Sequence, residues 1–221
     1  MEKEKLFKGL EWILFAALFI FTGYGMYLGS QGQEVFYPFV QEDGLVENLT
    51  ALSLLAASVV SFYRVYEYRN SKKKLWIFTA VMLGILFFFA AGEEISWGQR
   101  IFNIQSGEYF LEHNKQGETN LHNLVVGGED LNILIFSRLM FVVLIFYLVF
   151  ARLLAWKVKW FRNLVNMFRV PLPRVQHIVV MLIVTLMIVS IHRVKESELH
   201  ELSFAFIFFL IFLHPAVIDK E

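Results

Sequence analysis

Six largely apolar runs, each of about 18 residues or more, constrain this chain before anything else. A helix rising ~1.5 Å per residue needs about that length to cross the ~30 Å hydrocarbon core of a bilayer. The runs fall at approximately residues 10–29, 48–66, 75–95, 133–155, 175–192 and 201–218. With 57% hydrophobic residues and a mean hydropathy of +0.55, too little polar surface is left for a soluble domain of 221 residues. The expected fold class is therefore all-α, a polytopic transmembrane helical bundle of about six spans forming a single integral membrane domain over residues 1–221. The stretch "MEKEKLFKGLE" before the first run mixes acids with bases and no small-residue cleavage site follows, so this run reads as a retained helix.

Orientation follows from the basic residues. With chain ends assigned alternately, 15 of the 20 Lys and Arg gather on one side, and 14 of the 20 Asp and Glu on the other. Short loops rich in Lys and Arg stay inside, so both termini are expected in the cytoplasm and the chain in the cytoplasmic (inner) membrane. The formal net charge is zero and there is no basic stripe, which excludes nucleic acid as a partner. The chain has no cysteine, which removes disulfides and thiolate chemistry.

On the outer side one connection is long. Residues 98–132 are polar and exceed a hairpin, so they are expected to fold over the outer mouth of the bundle as an extracytoplasmic loop. Four polar clusters fall on this same side. In "AAGEEISWGQR" an uncharged run from Leu75 ends in Glu93 and Glu94, about 27 Å along the helix and near the outer hydrocarbon boundary. If the helix continues, Glu93, Ser96, Trp97 and Arg100 share a face, and one of the two acids pairs with Arg100. In "HNKQGETNLHN" Asn114, Gln116, Glu118, Asn120 and His122 alternate, so an extended segment would align all five on one side, with Asn123 following. In "IHRVKESELHELSF" His192, Glu196 and His200 recur every four residues, but a turn must interrupt them, and Ser197 is expected to cap the last helix. In "QEDGLVENLTALSLL" Glu42, Asp43 and Glu47 precede the second span, where acids favour a helix N-terminus. The phenylalanine-rich "FAFIFFLIF" reads as lipid-facing bulk; His113, beside the loop cluster, and His177 and His214, near cytoplasmic ends, are not taken as site residues.

The motifs "EDGLVEN", "GEEISWGQRIF" and "NKQGETNLHN", in that order, resemble those of a family of uncharacterised bacterial polytopic membrane proteins over roughly residues 42–135. That resemblance implies that Glu42, Asp43, Glu47, Glu93, Glu94, Ser96, Gln99, Arg100, Asn114, Gln116, Glu118, Asn120, His122 and Asn123 belong to one site. It implies no particular reaction.

Polar groups at headgroup depth suit a hydrolase or transferase acting on membrane lipids or a lipid-linked substrate. Glu93, Glu94, Ser96, Arg100 and His122 are the candidate catalytic residues, Arg100 as an anion clamp. Glu42, Asp43, Glu47, Gln99, Asn114, Gln116, Glu118, Asn120 and Asn123 are candidates for substrate binding. Glu94, His122 and His200 are candidate ligands for a divalent metal such as zinc. An ion-coupled permease and a non-catalytic membrane scaffold or sensor are the competing expectations, the permease disfavoured by spans whose middles carry no charge.

Overall fold

A computed structural model describes residues 2–71, 73–127, 129–130 and 140–216. The described chain is predominantly helical. Its first elements are α1 (Glu2–Gln31), α2 (Gln33–Val40), α3 (Leu45–Tyr68) and α4 (Lys74–Glu94). Among the described residues three stretches are long and apolar enough to cross a membrane, Glu4–Gln31, Gln33–Tyr68 and Lys74–Glu94. They contain the first three expected spans almost entirely, because an uninterrupted apolar run needs no tertiary information to declare its length.

Two short helices follow, α5 (Gln99–Phe102) and α6 (Glu108–His113), and a two-residue antiparallel pair joins β1 (Val125–Val126) to β2 (Glu129–Asp130). A continuous helical path then runs through α7 (Met140–Ile145), a wider π turn at Phe146–Ala151 and α8 (Arg152–Lys157). This path carries most of the expected fourth span, whose residues 133–139 lie outside the described residues, as do 131–132 of the expected outer loop and 217–218 of the expected sixth span. α9 (Lys159–Phe168), α10 (Val175–Val189) and α11 (Ser197–Leu213) complete the chain.

The last two helices are shorter than their apolar runs. At 15 and 17 residues they extend about 22 and 26 Å; the turn from Ser190 to Glu196, with His192 and Lys195 at φ 51° and 66°, cuts α10 short, while α11 starts ahead of its run and ends at Leu213. That turn separates His192 from His200, as the sequence required. Ser197, however, is the first helical residue and Glu196 precedes it without a side-chain cap.

α11 is the central helix. It packs against α3, α10 and α1, and Leu199, Leu202, Ile207, Leu210, Ile211 and Phe212 are all buried. The expectation that "FAFIFFLIF" faces lipid is therefore overturned. Phe212 meets Phe87 edge-on at 4.9 Å between ring centroids, and Phe208 stacks on Tyr147 at 5.3 Å. α4 instead turns Phe78, Met82, Ile85 and Phe88 to the surface. α3 and α4 approach closely at Gly84, whose missing side chain admits the Phe62 ring and whose carbonyl accepts the buried Ser58 hydroxyl at 2.7 Å.

Candidate functional site

Glu93 ends its helix at a sharp turn. The Ile95 N–H caps onto the Glu93 carbonyl, and Ser96, Trp97 and Gly98 then follow at φ 46°, 55° and 75°, a left-handed run that L-residues enter at a cost of ~1–3 kcal/mol each. The single helical face expected for Glu93, Ser96, Trp97 and Arg100 therefore does not form. The turn folds the Trp97 ring back over Gly92, where a Cβ would lie 2.7 Å from ring atoms. The indole N–H donates to Glu93 Oε1 at 2.8 Å, and Phe89 packs edge-on against the ring. Glu93 Oε2 accepts the backbone N–H groups of Leu121 and His122 at 2.5 and 3.2 Å. One buried carboxylate thus ties the helix end, the turn and the loop together.

The loop is held largely by its own amides. Asn114 accepts the N–H groups of Gln116 and Glu118 at 2.9 and 3.2 Å and donates to Asn120 Oδ1 at 2.9 Å. Asn120 donates to Ser96 Oγ at 2.8 Å and accepts the Asn123 N–H at 3.0 Å. Gln116 Oε1 accepts from Asn123 Nδ2 at 2.8 Å. Gln99 accepts the Thr119 N–H and donates to Ser106 Oγ at 2.9 Å. The alternation expected to align five side chains on one strand is replaced by turns, because Asn and Gln side chains bond nearby backbone groups and close them. Asn114 and Asn120 are buried within this lattice.

Arg100 joins the loop to the second helix pair. Its guanidinium pairs with Asp43 and with Glu118, and reaches Gln116 Oε1 at 3.4 Å. Among the described residues it pairs with neither Glu93 nor Glu94, which corrects the expected partnership. Ser96 donates its hydroxyl to the other Glu118 oxygen. At the start of α3, Glu47 reaches back to the Asp43 N–H, an arrangement close to a capping box, while Asn48 donates to the Gly44 carbonyl at 2.7 Å.

Beside this lattice the acids gather. Glu94, at the end of α4, interacts electrostatically with Glu201, Glu47, Glu198 and Glu93, and Glu201 in turn with Glu198 and Glu47. Five carboxylates from the ends of three helices are thus coupled to one another. The nearby cation is Lys195, which donates to Glu42 at 2.5 Å. Partial burial works against the Lys195 ammonium, but its bond to Glu42 and the charges of Glu42 and Glu198 outweigh that and raise its pKa. The sequence placed Glu47 and Glu94 here. Glu198 and Glu201 were not among the candidate site residues, although two acids three apart on an apolar helix were the available signal.

His200 is half-buried in the first turn of α11 and feels the charge of Glu196. His122 enters the site through its backbone N–H on Glu93. Among the described residues no group of three or more His, Asp or Glu is arranged to hold a metal ion. Glu94, His122 and His200 are accordingly not brought together as the expected ligand set.

At the opposite end lies a cluster that the sequence reading missed. Glu11 and His177 are fully buried, and Glu11 faces His177 Nε2 at 2.5 Å, His214 Nδ1 at 3.1 Å and Gln176 Nε2 at 2.8 Å. His177 Nδ1 accepts the Arg174 N–H at 3.1 Å, so its proton sits on Nε2 and is donated to Glu11. The signal was topological: one acid and two histidines on three separate runs, all at the ends carrying the basic loops. No family model matches the chain, and no curated protein or solved structure is significantly similar to it.

Proposed function

We propose that this chain is an inner-membrane protein of about six spans with both termini cytoplasmic, and that its outer acidic cluster is the active site of a hydrolase or transferase acting on a lipid or lipid-linked substrate. The observation that carries the reading is the electrostatic coupling of Glu94 to Glu201, from two different helices, with Glu47 and Glu198 coupled to both. Crowded acids share protons, so one member can be ionised while the other is neutral. The ionised carboxylate takes a proton from water or an acceptor hydroxyl, and the neutral one gives its proton to the leaving oxygen. Lys195 moderates the negative charge at the rim. Glu93, Ser96, Gln99, Asn114, Gln116, Glu118, Asn120 and Asn123 hold the loop in place beside these acids, with Arg100 as the tie to Asp43. We also propose membership of the bacterial polytopic family that the motifs resemble. The packing of "GEEISWGQR" against "QGETNLHN", and the tie of Arg100 to Asp43, support it.

A second reading, an ion-coupled permease, is favoured by the same crowding of Glu94 with Glu47, Glu198 and Glu201, since grouped carboxylates also take up protons and cations. Against it, the buried hydroxyls along α3 are spent on helix carbonyls, Thr50 on Val46, Ser53 on Leu49, Ser61 on Ala57 and Ser58 on Gly84. Lipid profiles of cells expressing wild type or Glu94→Gln separate the readings. A lipid species altered by wild type and not by the variant supports the enzyme. Unchanged profiles, with a proton or cation flux in proteoliposomes that Glu94→Gln abolishes, would replace it by the permease.

A further inference from the structure

Arg64 lies near the C-terminal end of α3, at the end of the bundle that carries the basic loops. Its Nη2 donates to the Phe212 carbonyl and its Nη1 to the Tyr68 hydroxyl at 3.3 Å, but its Nε is buried with no hydrogen-bond partner. Buried guanidinium N–H groups are rarely left so, and each one invites an acceptor. The side chain lines a cavity of about 50 Å³ walled also by Asn166, Arg169, Pro171, Pro215 and Ala216. One water needs only ~10–15 Å³ by this measure, so the space admits a group of several heavy atoms.

Arg64, Arg152 and Arg174 bring positive charge to this end of the bundle. Arg152 donates to the Pro173 carbonyl at 3.0 Å and Arg174 to the Pro215 carbonyl at 3.2 Å. Among the described residues no carboxylate forms an ion pair with Arg64, Arg152 or Arg174. The Arg169 guanidinium lies over the Trp76 ring, 5.0 Å from its centroid, and the Trp76 indole donates to the Asn166 carbonyl at 3.1 Å. The helix bordering the cavity shows where it sits. α9 exposes Trp160, Leu164 and Met167 at four- and three-residue steps and buries Val165, so an apolar stripe faces outward as in helices lying at the headgroup layer.

We propose that this cavity binds the phosphate of an anionic phospholipid headgroup, with Arg64 Nε donating to one oxyanion oxygen and Arg169 supplying charge at the rim. The shared chemistry is a tetrahedral phosphate oxyanion, and the lipid is its source because α9 places the cavity where headgroups lie. The full chain, purified and delipidated in a neutral detergent, is titrated with phosphatidylglycerol, phosphatidylcholine or inorganic phosphate while its melting temperature is followed. A saturable rise of several degrees with phosphatidylglycerol, absent with phosphatidylcholine and lost in both Arg64→Gln and Arg169→Gln, is the expected result. The same rise with inorganic phosphate alone, again lost in both variants, keeps the oxyanion site but assigns it to the free ion. No rise with either probe, or a full rise in a folded Arg169→Gln, overturns the proposal. Arg169 is exposed, so that variant remains readable if Arg64→Gln does not fold.

Discussion

Glu93 accepts the Trp97 indole N–H with one carboxylate oxygen at 2.8 Å, across a left-handed turn that carries the ring back over the helix it has just left. The other oxygen holds two backbone N–H groups of the loop. Glu93→Gln keeps one acceptor but turns an amide N–H₂ toward a donor. It is expected to cost about 1–3 kcal/mol of stability and to speed proteolysis between residues 103 and 124, both measurable on the purified protein. Unchanged melting and cleavage would remove Glu93 from this joining role.

Gly92 is required by the same turn. An alanine Cβ at this position would stand 2.7 Å from the Trp97 ring, and overpacking of this kind costs about 1–3 kcal/mol. Gly92→Ala is therefore expected to lower the melting temperature and shift tryptophan fluorescence. Combining it with Trp97→Leu should recover part of the loss, since the ring is what the methyl group meets.

The Lys195–Glu42 pair predicts a pH dependence with a definite sign. Because the pKa of Lys195 is raised in the folded protein, its contribution is fully present below the unfolded lysine value of ~10.4 and is lost as pH rises through the higher folded value. Glu42 and Lys195 are both partly exposed, so the pair is worth only ~0.5 kcal/mol. The small melting difference between wild type and Glu42→Gln should persist from pH 7 to about 10 and close only as pH rises above ~10.4 through the higher folded value.

Orientation is open to direct labelling, because the chain has no cysteine of its own. A Cβ at Gly107 would have no heavy-atom neighbour within 4 Å, which makes Gly107→Cys a mild change. A membrane-impermeant maleimide is expected to label it in intact cells, and to label Asn70→Cys, at an exposed position after α3, only after permeabilisation. The reverse pattern would invert the topology and with it the site's assignment to the outer face.

What could be read beforehand follows from the range of each signal. Glu4–Gln31 and Lys74–Glu94 were legible because length and hydropathy are local properties. The burial of "FAFIFFLIF" was not, since in a membrane protein a helix facing lipid and a helix facing its neighbours are equally apolar. The left-handed turn at Ser96–Gly98 carries little signature beyond Gly98, so Arg100 was placed on the wrong face. The polar residues of 114–123 were recognised as a group, but their alternation suggested a strand where their short side chains close turns. Glu11, His177 and His214 were missed because 166 and 203 residues separate the acid from its two partners. Their meeting depends on packing, which no local pattern encodes.

The account rests most heavily on Glu94 and Glu201 acting as an acid–base pair. Purified protein reconstituted into vesicles of a bacterial total lipid extract, with products followed by mass spectrometry, tests this directly. Wild type should convert at least one lipid or lipid-linked species, with the rate falling by at least ~100-fold in folded Glu94→Gln and Glu201→Gln alike. Conversion at the wild-type rate in the double variant, or no conversion by wild type in any such extract, would contradict it.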